Sequence, residues 1–234
     1  MQPARTIWLV VLAAVVSLTA APARAANIAG QGTGIIGLNT AIDGTLGTPY
    51  AHAGSAANVN DAAPNTTVDT WNENGTQPYS YVGVLFPSAR ADVVRSVTLN
   101  TAAFFDGGWF GPNGTGPGAS GTLTADHLTP PTVQVTFDGG ATWVNAPATD
   151  NYVVALEGTT LPVAFGPPTA ANPATFTLAT PVTGINGIRL IGSEGGTASG
   201  GFIGVFNLSV DAVPESTSVA LLAVGGLTLR RRRA

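Results

Sequence analysis

Apolar and polar positions alternate in short runs along most of this chain. Val93 to Leu99 carries the two-residue period of a strand, and Thr132 to Phe137 repeats it, with Val133, Val135 and Phe137 on one face. Asp138-Gly139-Gly140 then supplies turn chemistry leading into Thr142-Trp143-Val144, which predicts a hairpin. Further strands are predicted at Val82–Phe86, Tyr152–Leu156, Ala174–Leu178, Gly187–Ile191 and Phe202–Val210. No stretch between the two ends sustains a helical period. Short strands separated by turn signals predict an all-β chain folded as an antiparallel β-sandwich. Two long stretches, Gly30–Tyr79 and Asp106–Pro131, lack the pattern and read as irregular loops of the kind that carry function or bound ions.

The ends follow other rules. Arg5 precedes an apolar run from Ile7 to Leu18, and Ala23-Arg24-Ala25 supplies an A-x-A cleavage site, so residues 1–25 read as a signal peptide. At the far end, Val213-Pro214-Glu215 leads through small polar residues to an apolar run, Val219 to Leu229, and then to Arg230–Arg233. That order resembles the PEP-CTERM sorting tail, here residues 213–234. The resemblance implies an exosortase as processing partner, transient association with the inner membrane, and export to the cell surface or the extracellular space. It also implies a Gram-negative bacterium that makes exopolysaccharide. Ser216 replaces the motif's second proline. The 11-residue run reaches only about 17 Å at ~1.5 Å per residue, against a hydrocarbon core of about 30 Å, so the tail reads as a removable signal, not a stable anchor.

Between these ends, residues 26–212 suffice for one domain. Their composition narrows the chemistry. Lysine is absent from the chain, and the stretch holds three arginines (Arg90, Arg95 and Arg189) against twelve acidic residues, a net charge near −9. No basic stripe exists to neutralise phosphates, which argues against nucleic acid and anionic membranes as partners. Absence of cysteine excludes disulfides, thiolate metal sites and cysteine nucleophiles.

Three blocks in order resemble the discoidin-type (coagulation-factor type C, galactose-binding-like) jelly roll. They are Asn58-Val59-Asn60-Asp61 through Asp69-Thr70-Trp71-Asn72, then Val133 to Trp143 with its D-G-x-x-W hairpin, and Gly187 to Gly192 followed by Phe202 to Val210. The resemblance implies a discoidin-like jelly roll whose chain ends lie close together, with Trp71 and Trp143 in the core. It also implies a structural Ca2+, held by Asn60, Asp61, Asp69 and Asn207, with Thr67 as a further candidate. Calcium takes six to eight oxygen ligands, and Asn207 stands where the family commonly has a glutamate. The plainer reading makes the loop residues ordinary turn formers.

For ligand binding the expected residues are Asp106, Trp109 and Asn113, in a glycine-rich loop entered by Phe104-Phe105. An exposed indole can stack on a pyranose ring while carboxylate and amide grip hydroxyls. Alternatively, Trp109 folds back to cap the sandwich. Gly32–Gly37 and Gly116–Gly121 both match G-x-G-x-x-G, but neither has the strand before and helix after that a dinucleotide site needs. His52 and His127 belong to no zinc spacing, and no G-x-S-x-G occurs. His52 reads as a loop hydrogen-bonder. Among Asp61, Asp69, Glu73 and Asp106, a glycosidase pair is conceivable only if two face each other across a cleft. The expectation is thus an exported, non-enzymatic surface or matrix protein that binds polysaccharide. The alternatives are a structural matrix component without a specific ligand, or an extracellular glycan hydrolase.

Overall fold

The computed structural model describes residues 25–214 except 62, 64, 65, 73–76 and 199. The expected signal peptide (apart from Ala25), Glu73 and the sorting tail beyond Pro214 lie outside the described residues.

Fourteen strands run through the described residues. The first seven are β1 (Ala26–Asn27), β2 (Thr33–Asn39), β3 (Thr48–Pro49), β4 (Val68–Asp69), β5 (Tyr79–Leu85), β6 (Val93–Ala103) and β7 (Gly107–Phe110). The second seven are β8 (Thr132–Thr136), β9 (Val144–Asn145), β10 (Ala148–Asp150), β11 (Thr169–Ala170), β12 (Ala174–Val182), β13 (Gly187–Gly196) and β14 (Gly204–Val213). They form two seven-stranded sheets whose ladders are antiparallel. One runs β1-β14-β6-β12-β10 with β4 and β11 attached, the other β3-β2-β5-β13-β8-β9 with β7 attached. The result is an antiparallel β-sandwich of jelly-roll type.

The core between the sheets follows from the alternation. Val97, Leu99, Phe176, Leu208 and Val210 come from one sheet and Ile36, Val82, Val84, Val133, Ile188 and Leu190 from the other, all buried in one cluster. At about 25 cal/mol per Å2 of apolar surface, burying such side chains contributes roughly 1.5–3 kcal/mol each. The outer face of the second sheet is covered as well. There Arg189, fully buried on β13, lies against the rings of Trp143 (4.5 Å) and Tyr81 (5.4 Å). Its guanidinium donates to Gln134 Oε1 and to the carbonyls of Asp43, Thr45 and Leu46. The loop after β2 is thereby held down on the sheet. Burial pulls the Arg189 pKa down to about 10.

Both predicted long loops contain structure. Gly30–Tyr79 includes β2, and its glycine motif is a packing device: a Cβ on Gly34 would sit 2.1 Å from the Ala56 carbonyl of the 3-10 turn Ala56–Val59. Asp106–Pro131 includes β7. The hairpin is present, with Gln134 facing Asn145 and Val135 facing Val144. Its turn is fastened by the Asp138 carboxylate, which accepts from the Thr136 and Thr142 hydroxyls and the Thr142 N–H. Phe137 does not follow Val133 and Val135 inward; it is 52% exposed at the strand end.

One strand prediction is overturned. Tyr152–Leu156 is a short α-helix, α1. Asp150 Oδ1 accepts the Tyr152 N–H at 2.9 Å and turns the chain. The Tyr152 hydroxyl then clasps β7, accepting from the Phe110 N–H (2.7 Å) and donating to its carbonyl (3.2 Å). These tertiary bonds override the strand preference of Tyr-Val-Val.

The chain closes on itself. Ala26 pairs with Ala212 and Asn27 with Asp211, and Asn27 Oδ1 accepts the Val210 N–H at 3.0 Å.

Candidate functional site

At the end of the first sheet where β6 finishes and β14 begins, a cleft of about 260 Å3 opens between five segments. It is lined by His52, Asp69, Trp71, Phe104, Phe105, Asp106, Phe165 and Phe202. Its volume lies just below the ~300–1,000 Å3 typical of ligand pockets and suits a single ring.

Strand periodicity places the first wall. Thr70 points into the sandwich, fully buried, where its hydroxyl meets Ser80 (2.7 Å) and accepts the Ile203 N–H (3.0 Å). Its neighbours Asp69 and Trp71 therefore share the opposite side and face the cleft. Asp69 Oδ1 accepts the Trp71 N–H at 3.1 Å and lies 3.0 Å from His52 Nδ1. The His52 ring meets Trp71 edge-on at 4.7 Å. With Nδ1–H given to Asp69, a neutral imidazole presents Nε2 as an acceptor.

The opposite wall is the turn from β6 to β7. Phe104 packs edge-on to Phe202 at 5.4 Å, and Phe105 meets Phe165 at 5.1 Å. Asp106 follows, its carbonyl fixed by the Thr197 and Ala198 N–H groups. Phe165 is 92% exposed and holds φ at +60°, a left-handed conformation uncommon for a bulky side chain. Strain of this kind, on the order of 1–3 kcal/mol, persists where surroundings impose it and clusters at ligand clamps.

The electrostatics is one-sided. Burial raises the pKa of both carboxyls, and for Asp106 the charge of Asp69 raises it further. For Asp69 the Trp71 N–H and His52 oppose the rise. Behind Thr70 the hydrogen bonds continue through Ser80 to Glu194, which is 1% exposed. Burial drives the Glu194 pKa up to about 8, against the stabilising Ser80 hydroxyl.

The expected sugar contacts do not assemble as a trio. Asp106 lies in the cleft, whereas Asn113 is exposed elsewhere and donates to the Gly200 carbonyl at 2.8 Å, stapling two loops. Trp109 is corrected to a packing role: at 1% exposure its ring offers no face for stacking. A Cβ on Gly195 would lie 2.4 Å from its indole nitrogen, so glycine there admits the ring. Trp143 is buried as expected, but Trp71 is half-buried in the cleft wall. Of the cleft residues only Asp106 is expected from the sequence as a ligand contact; His52, Asp69, Trp71, Phe104, Phe105, Phe165 and Phe202 are not. The available signals were Asp69-Thr70-Trp71 at strand spacing and Phe165 standing in a Pro/Gly-rich loop.

The calcium candidates also separate. Asp69 is turned into the aromatic cleft. Asn60 donates its amide to the carbonyls of Ala29 and Gly32, and Asp61 accepts from the Ala63 N–H, the Thr66 hydroxyl and the Asn58 amide. Asn207 faces Asn100 across the β6–β14 ladder, and both buried Oδ1 atoms lack a hydrogen-bond partner among the described residues. No group of three or more His, Cys, Asp or Glu able to hold a metal occurs among the described residues. Asp61 and Asp69 are committed to different neighbours, and the loop keeps its shape with its own hydrogen bonds.

No protein-family model matches the chain, and no curated protein matches it. Solved structures do. The family 32 CBM from Clostridium perfringens NanJ, solved with galactose, is 15% identical, with 80% of this chain and 99% of that one covered at a TM-score of 0.44. Chitosan-binding module 1 from the chitosanase/glucanase of Paenibacillus sp. IK-5 is 16% identical, covering 79% and 98% at 0.42. The family 32 carbohydrate-binding module of Streptococcus pneumoniae EndoD is 15% identical, covering 79% and 98% at 0.38.

Proposed function

We propose that this chain is an exported, non-catalytic glycan-binding module that seats one sugar ring in the cleft between β4 and the β6–β7 turn. A single observation carries the reading: aromatic side chains of Trp71, Phe104, Phe105 and Phe165 surround two carboxylates and an imidazole in one open, ring-sized cleft. Rings of this kind take up the apolar face of a pyranose. Asp69, Asp106 and His52 supply acceptors for hydroxyls around its edge. Export rests on the signal-peptide pattern and the PEP-CTERM-like tail. Intact-mass measurement of the exported protein tests it, and retention of Arg230–Arg233 on the mature form would remove the sorting claim.

Titration calorimetry against a panel of monosaccharides and oligosaccharides tests binding. Saturable heat with one class, abolished by Trp71→Ala, supports the module. Silence across the panel would favour a structural matrix component.

Asp69 and Asp106 lining one cleft also favours a second reading, a glycoside hydrolase. Such pairs work at about 5–5.5 Å when retaining and about 6.5–9.5 Å when inverting. The binding reading is preferred because Asp69 Oδ1 is already engaged by the Trp71 N–H and His52. Release of reducing ends from a bound glycan, lost in Asp106→Asn, would reverse that preference.

A further inference from the structure

We propose that the sugar taken by this cleft carries a free, protonated amine, as in a deacetylated amino-sugar polymer, with the ammonium seated between Asp106 and Asp69. The inference rests on the glycan-binding reading and goes on to the class of ligand.

Charge is the first argument. Two carboxylates line the cleft, and neither Arg nor Lys does. The three arginines among the described residues are all committed or remote. Arg189 is buried against Trp143, Arg90 is paired with Asp92, and Arg95 lies nine residues down β6 from Phe104, about 30 Å at ~3.3 Å per residue. His52 is the other ionisable group in the lining, and it is already turned to Asp69, so an anionic sugar would meet the Asp106 charge without a cation of its own. A neutral sugar would leave the Asp106 carboxylate, close to the charge of Asp69, without a cationic partner in a partly dry cleft.

Desolvation is the second. Burial disfavours the ionised form of both carboxyls, and Asp69 disfavours it further at Asp106. A cation placed between them offsets both effects, and a charge-assisted hydrogen bond is roughly twice as strong as a neutral one.

The third is the rings. Aromatic faces attract cations, by about 0.5–1 kcal/mol when exposed and about 2 when desolvated. Phe104, Phe105, Phe165 and Trp71 line the same space as the carboxylates. An aromatic enclosure with acidic groups matches an ammonium better than it matches a hydroxyl. Beyond the cleft, the acidic domain draws a polycation in from a distance.

The test is titration of the full chain with a β-1,4-linked glucosamine tetramer, its N-acetylated counterpart, a neutral glucose tetramer and a glucuronate-containing tetramer. The amine form is expected to bind tighter than the others by about tenfold or more. Asp106→Asn should erase that preference. Phe105→Leu, which keeps apolar bulk but removes the ring, should reduce it and serves if the first variant does not fold. Asp126→Asn, an exposed carboxylate away from the cleft, should leave the preference intact. Equal binding of the N-acetylated or neutral tetramer overturns the amine and leaves glycan binding standing. Preference for glucuronate also overturns it. Loss of affinity in Asp126→Asn equal to that in Asp106→Asn assigns the effect to overall charge and overturns the site. No binding of any tetramer overturns both readings.

Discussion

Arg189 and the Asp69–Asp106 pair are both ionisable groups set among aromatic rings, yet the protein treats them oppositely. Arg189 is fully buried, stacked between Trp143 and Tyr81, and its donors are met by Gln134 and three carbonyls. Nothing about it invites a ligand. Asp69 and Asp106 line an open cleft, the charge of Asp69 raises the cost of ionising Asp106, and no arginine lines the cleft beside them. The difference separates a charge used to hold a structure from charges positioned to meet something. A buried charge with its partners supplied is architecture, whereas partly buried charges of one sign beside open aromatic faces are recognition.

The largest expected effect breaks the architectural half. Arg189→Met removes the donor from Gln134 and the loop carbonyls and should cost about 3–5 kcal/mol, since acceptors left buried without partners are expensive. Urea unfolding checks it. Asp106→Asn should change the same stability by less than about 1 kcal/mol, because among the described residues its carboxylate makes no hydrogen bond to another residue.

Next is Glu194, which sits behind the cleft and resembles neither half. Its folded-state pKa of about 8 lies above the ordinary glutamate value of 4.5. The folded protein therefore holds this proton more tightly than the unfolded chain. The stability that protonation supplies is complete below about pH 4.5 and declines until about pH 8. Glu194→Gln removes the charge but keeps the acceptor for Ser80. It should be neutral at pH 4 and stabilising by about 2 kcal/mol at pH 8, as followed by thermal unfolding at the two pH values. An unchanged difference between the two pH values would contradict it.

Phe165 gives a smaller effect of opposite sign in two assays. Phe165→Gly relieves the left-handed backbone and should stabilise the fold by roughly 0.5 kcal/mol, the strain gained back less the added freedom of the unfolded chain. The same change should weaken sugar binding. A loss of stability would show that the ring serves packing. Smallest of all, calcium against chelator should shift the melting temperature by less than about 2 °C, because Asn60 and Asp61 already spend their side chains on hydrogen bonds that shape the loop.

Much of the sandwich was legible because β6, β8, β12, β13 and β14 show their alternation openly. The strands β2 and β7 were not, since their glycines, placed for close packing, hide the pattern. In α1 the Tyr-Val-Val pattern hides the helix: Asp150 offers a local bond to the Tyr152 N–H, but the Tyr152–Phe110 clasp joins residues 42 apart in sequence and leaves no local signal. The cleft was legible only at Asp106. Its other residues come from positions 52 to 202 and meet only when β4, the β6–β7 turn and the strand start at Gly204 come together. The glycines flanking Trp109-Phe110 suggest exposure, while in the fold glycine at 195 makes room for the Trp109 ring.

The pairing of Ala26 with Ala212 has a geometric consequence. Strand β14 begins beside the cleft at Gly204 and ends beside β1 at Val213, ten residues and about 30 Å away at ~3.3 Å per residue. Both ends of the folded domain therefore leave from one edge, and the cleft opens at the other. If either end is fastened to a surface, the binding face is displayed outward, toward whatever surrounds that surface.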